Sequence, residues 1–173
     1  MSARPQSLLE IPIVRRTRRN HGLEHATIHL LSQRHPGVSL AGRSDARGFY
    51  LMGNLPTETV AAAAQAALDR LRAGESQLAI HPNCGTNFLT AGVVAGLAAF
   101  LALMGTGRSA RSRLERLPTV FLASTAALIF TQPLGFAIQQ RVTTSGEMGA
   151  LTITEVKQVR RGRLTVHRVL TAG

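Results

Sequence analysis

The sequence has no tryptophan and one tyrosine, so recognition of single-stranded nucleic acid by base stacking has almost no platform here. It has one cysteine, Cys84, which excludes an intrachain disulfide and any CxxC zinc or redox motif. Acidic residues are scarce, with 9 Asp and Glu against 20 Lys and Arg, and Lys157 is the one lysine. Charge is also unevenly spread. Between Glu75 and Arg108, and again between Arg116 and Arg141, no Asp, Glu, Lys or Arg occurs. What remains is 173 residues, 45% apolar, which argues against general disorder and leaves room for one small domain plus an appendage.

The uncharged runs point to a membrane. Phe88 to Gly105 reads FLTAGVVAGLAAFLALMG and Pro118 to Ile138 reads PTVFLASTAALIFTQPLGFAI. Each is long enough to cross roughly 30 Å of hydrocarbon. Buried helices of a soluble bundle would show polar residues at a 3.6-residue period, whereas these spans hold only a few uncharged polar positions. Gln132 and Pro133 fall late in the second span, where a kink or early exit is expected. Gly92 and Gly96 form GxxxG, a face that would admit the second helix or another subunit. The connecting GRSARSRLER carries Arg108, Arg111, Arg113 and Arg116, which alone would put that loop in the cytoplasm. However, the 86 residues before the first span open without a signal-peptide pattern. The expectation is a multi-pass protein of a cytoplasmic-type (inner) membrane with both termini cytoplasmic.

The flanking segments read as α+β. A helix is expected over Ile13 to Arg34, ended by His35-Pro36-Gly37. VSLAGRS and GFYLMGNL flank the turn Asp45-Ala46-Arg47-Gly48 as a hairpin, and a second helix opens at Pro56-Thr57-Glu58 with Thr57 as N-cap. QLAIHP reads as a third strand. After the spans, LTITEVKQV and RLTVHRVL form a basic β-hairpin around Arg160-Arg161-Gly162, able to join the first sheet if both termini share a side. The expected layout is a small α-β-β-α-β domain over 1–86, a transmembrane hairpin over 87–140 (spans about 88–105 and 118–138), and a C-terminal β-hairpin over 141–173.

The most informative segment is NHGLEHATIHLL, Asn20 to Leu31. Its His21-Gly22-Leu23-Glu24-His25 is HxxEH. On a helix the two imidazoles stand one turn apart on one face and can share a metal ion, while Glu24 alongside can take a proton from metal-bound water. The pattern resembles the reversed zinc-protease motif of the inverzincins. His29 continues the stripe, and Leu23, Thr27 and Leu30 lie opposite, which would turn the histidines towards a cleft or solvent. Candidates for a third ligand are His81, Cys84 and Glu58. His81 and Cys84 belong to HPNCGTN at the entry to the first span, where Asn83, Gly85, Thr86 and Asn87 also read as turn and cap residues.

Three segments, NHGLEHATIHLL, LAGRSDARGFYLMGN and LAIHPNCGTN, together resemble an uncharacterised family of bacterial membrane proteins, known mainly from photosynthetic lineages and described as a domain of unknown function. The resemblance covers roughly Asn20 to Gly105 and implies no activity. Two readings stay open. One is a membrane-anchored, zinc-type hydrolase or peptidase with Glu24 as base and His21, His25, His81 and Cys84 as ligands. The other is a non-catalytic membrane subunit or assembly factor of a larger, photosynthetic-type complex, or a homo-oligomer packed through the Gly92/Gly96 face. The arginine clusters RRTRR and RRGR are expected to contact anionic headgroups. No nucleic-acid recognition module is present, so no specific nucleic acid is expected.

Overall fold

The computed structural model describes residues 8–105, 109–160 and 164–173. The chain divides into two compact units, one made of the residues up to His81 together with Gln140–Gly173, the other of Pro82–Gln139.

In the first unit, helix α1 (Pro12–Arg34) starts on a proline at its first turn and stops where His35 donates its backbone N–H to Leu31 O. Strands β1 (Ala41–Asp45) and β2 (Gly48–Met52) form the expected tight hairpin. Helix α2 (Thr57–Arg72) begins at Thr57, but Pro56 holds the N-cap position, so Thr57 is the first helical residue and not its cap. Strands β3 (Thr152–Arg160) and β4 (Val166–Ala172) pair with each other, and β4 also pairs with β2. The result is one antiparallel sheet in the order β1-β2-β4-β3. The C-terminal strands thus complete the sheet that β1 and β2 begin. Of the expected turn Arg160-Arg161-Gly162, Arg160 ends β3, while Arg161, Gly162 and the following Arg163, like Arg108 of the inter-span loop, lie outside the described residues.

Helices α1 and α2 cover one face of the sheet. Leu23, Leu31, Val60 and Leu68 from the helices bury with Phe49, Leu51 and Val169 from the central strands. Alternation along the strands explains the choice: Phe49 and Leu51 face the helices while Tyr50 between them is exposed. Asn20, fully buried, ties the layers by donating to Asp45 O and accepting from Thr171 Oγ1, both at 2.8 Å.

The expected third strand is absent. Ser76–Ala79 instead forms a 3-10 turn. The place beside β2 is taken by β4, and the carbonyls of Ala79 and Ile80 accept from imidazoles of α1 and not from a strand.

The second unit is a helical hairpin of α3 (Gly85–Leu103) and α5 (Leu117–Ile138), with a short α4 (Ala110–Glu115) in the connection. Gly85–Leu103 and the run Leu117–Thr143, which is α5 with the turn that follows it, are long and apolar enough to cross a membrane, with mean hydropathies of 1.8 and 1.6. Phe88, Leu89, Val93 and Phe100 of α3, and Phe121, Leu122 and Phe130 of α5, all stand open. The expected early exit at Pro133 does not occur, since α5 runs on to Ile138 and a π-turn follows. The N-cap of α3 is Cys84, whose Sγ accepts from the Thr86 N–H, displacing Thr86 and Asn87 from that role. A Cβ added at Gly92 or Gly96 would meet nothing within 4 Å, so this small-residue face is not the one on which α5 packs.

Candidate metal centre

The site is built on the middle of α1. Packing surrounds this stretch, with Gly22, Leu23, Glu24, His25 and Ala26 all buried, so of the two surroundings its spacing allowed, cleft or solvent, the histidine stripe is not fully open to solvent. His25 is 3% exposed, while His21 and His29 are half-buried. His25 and His29 meet the 3-10 turn and the residue after it.

Each helix histidine is oriented by a backbone carbonyl. His21 Nδ1 lies 3.0 Å from Thr143 O, His25 Nδ1 2.8 Å from Ala79 O, and His29 Nε2 2.8 Å from Ile80 O. A carbonyl can only accept, so these ring nitrogens carry the protons. In the neutral rings the lone pair is then on Nε2 of His21, Nε2 of His25 and Nδ1 of His29. Metal-binding histidines are typically fixed in this way, the other N–H donated to a carbonyl or carboxylate. The His21 and His25 rings lie 4.3 Å apart, and one donor nitrogen of each lies within 4.8 Å of the other, close enough for both to reach a single ion.

His81 joins them from the end of the 3-10 segment. Its ring centroid is 4.6 Å from that of His29 and 5.7 Å from that of His25. Burial first, then the neighbouring His29 and His25, push its pKa down to about 4, so it is a neutral imidazole at pH 7. The structure therefore brings His21, His25, His29 and His81 into one cluster. His29 was visible as the next residue of the i, i+4 stripe, but spacing alone did not pair it with His81.

The segment that supplies Thr143 is itself fastened to α1. Arg18 donates to Arg141 O and Thr144 O at 3.1 Å, and Ser145 N donates to Arg18 O at 3.0 Å. Gly22, inside HxxEH, permits this contact: a Cβ there would stand 2.1 Å from Ser145 O. Ala79, Ile80 and Thr144 also line a cavity of about 370 Å³ with Arg18 and Ser145. These backbone partners were hidden from sequence analysis, because a carbonyl leaves no trace in residue type.

Glu24 turns another way. It is 4% exposed, accepts a short hydrogen bond from Ser44 Oγ on β1, and packs where Gly42 has no side chain. Glu58 does not join the cluster. It sits exposed on the first turn of α2 and its charge is felt by His167 on β4. Cys84 belongs to the helical hairpin, three residues along the chain from His81.

An α+β domain with a carbonyl-anchored histidine cluster, interrupted by an apolar helical hairpin, defines the class of this protein. Residues 16–156 match the family model described as Domain of unknown function (DUF6391), and the chain belongs to that family. It is 34% identical over 155 residues to an uncharacterised protein of Picosynechococcus sp. (strain ATCC 27264 / PCC 7002 / PR-6), across 82% of this chain and 71% of that relative. No solved structure matches.

Proposed function

We propose that this is a membrane-anchored protein whose α+β domain binds one transition-metal ion through the helix histidines. The observation that carries the reading is the pair of Nδ1–carbonyl contacts at His21 and His25, which put both lone pairs on Nε2 one helical turn apart. His81 is the third donor of this reading, supported by its neutral ring beside His25. Cys84 enters on chain spacing, since His81 and Cys84 stand as donors in one short loop, HPNC. An imidazole-rich set suits zinc, copper, nickel or iron better than magnesium or calcium.

Glu24 bears on catalysis. In the hydrolase reading it would be the general base, but its bond from Ser44 favours a buttress between α1 and β1. The membrane reading rests on two exposed apolar helices free of charge. Because β1, β2, β3 and β4 form one sheet, the chain on either side of the hairpin occupies the same side of that membrane.

Elemental mass spectrometry of protein purified without chelators tests this. We expect about one transition-metal ion per chain, retained in Glu24→Gln and lost in His21→Ala and His25→Ala, with circular dichroism unchanged. A Cys84→Ser variant reports whether a thiolate is among the donors. Equal metal content in wild type and both histidine variants would overturn the assignment.

A further inference from the structure

The helical hairpin holds a cavity of about 390 Å³ between α3 and α5, at the end where the chain enters and leaves the hairpin. Its lining is mixed: Asn83, Asn87 and Gln132 on the polar side, Phe88, Leu128 and Phe136 on the apolar side. Its volume lies within the range of small-molecule sites, and its lining has their usual character, mostly apolar with a few placed polar groups.

Two of the lining amides, Asn87 and Gln132, differ in what they already do. Asn87 is committed to the fold. Its Nδ2 donates to Pro82 O at 2.8 Å, its Oδ1 accepts from the fully buried Gln139 at 2.6 Å, and a Cβ at Gly135 would stand 2.7 Å from that Oδ1. Gln132 has no hydrogen-bond partner among the described residues and is exposed on a helix otherwise apolar along this stretch. An amide without a partner beside hydrocarbon is costly, and polar side chains within membrane helices commonly mark ligand sites. Pro133, next in sequence, has no N–H, so the Ile129 carbonyl lacks its usual helical donor as well.

The charge pattern narrows the ligand. Neither span contains Asp, Glu, Lys or Arg, so nothing in them would compensate an anionic or cationic head. We propose that this cavity binds an uncharged amphiphile of the bilayer whose head carries carbonyl or hydroxyl oxygens. Gln132 both donates to and accepts from that head, while the tail lies along Phe88, Leu128 and Phe136. A neutral lipid and a quinone share this chemistry. The inference rests on the reading that α3 and α5 span a membrane.

The test begins with the full chain extracted from membranes in mild detergent. Bound molecules are then released into organic solvent and identified by mass spectrometry. We expect an uncharged amphiphile retained near one per chain, reduced about tenfold in Gln132→Leu, as loss of an anchoring hydrogen bond implies, and equally in Leu128→Trp, which fills the cavity. Redox-dependent ultraviolet absorbance of the extract assigns it to a quinone, and its absence to a neutral lipid. The same amounts and mixture in wild type and both variants would overturn the proposal, as would enrichment of anionic phospholipid alone. Alkaline carbonate washing separates the two failures. A chain that washes into the soluble fraction defeats the membrane reading and the site with it. A chain that stays embedded and retains no amphiphile defeats the site alone.

Discussion

Histidine carries two different kinds of information in this chain. The four clustered rings sit where carbonyls and neighbouring imidazoles give each a defined role, and the i, i+4 spacing of His21, His25 and His29 made three of them legible in the sequence. His167 had no such signal. It is the second residue of β4, fully buried, facing the helices beside Leu51, and both ring nitrogens lack a hydrogen-bond partner among the described residues. Burial lowers its pKa, with Glu58 opposing the shift. The unfolded chain, with an ordinary histidine pKa near 6.5, therefore binds more protons on acidification than the folded one does. The stability this residue contributes is complete above that value and is lost as pH falls towards the depressed folded value. His167→Leu removes two unpaired polar atoms from the core. It should leave stability at pH 7.5 unchanged or higher by about 1 kcal/mol, and flatten the decline between pH 6.5 and 5. Denaturant unfolding at several pH values measures both, and an unchanged pH slope would contradict the account.

At the scale of elements, periodicity served helices and paired strands well and short connections poorly. Proline and glycine stops placed α1 to within a residue and the Pro56-Thr57-Glu58 signal placed the start of α2, while β-branched alternation located β3 and β4. QLAIHP misled because two or three apolar residues fit a strand and a 3-10 turn alike. The choice was made by partners far along the chain: β4 beside β2, and imidazoles on α1. Gly22 shows the same limit. In a helix interior, glycine costs about 1 kcal/mol relative to alanine, so local propensity favours Gly22→Ala. The approach of Ser145 O reverses the sign. We expect Gly22→Ala to destabilise by about 1–3 kcal/mol, the usual cost of overpacking, seen as a lowered thermal midpoint. Because Ser145 follows the segment that bears Thr143 O, the variant should also weaken metal binding. A stabilised variant would show that this segment is not held against α1.

The molecule as a whole is a domain whose sheet is assembled from both ends of the chain, with an apolar hairpin inserted between its halves. From sequence, the two apolar helices were plain because absence of charge over so many residues has few explanations. The closure of the sheet was foreseen only as a possibility, since strand pairing across that separation leaves no local mark. It has a consequence for topology. Gln65 on α2 and Glu155 on β3 are both exposed, and on the proposed membrane reading they face the same compartment. Cysteines placed at either position in a Cys84→Ser background should react with a membrane-impermeant maleimide from one side only, the same for both. Reaction from opposite sides would refute a single sheet. The site has the same composite origin, because Thr143 O and Ala79 O come from either side of the inserted hairpin and both orient rings on α1. The most direct test of that site is titration of the purified, metal-free protein with Co²⁺, followed by visible absorption. We expect one saturable site per chain with ligand-field bands of a low-coordinate ion, abolished by His25→Ala while circular dichroism is unchanged. No saturable binding, or the same spectrum from the His25→Ala variant, would contradict it.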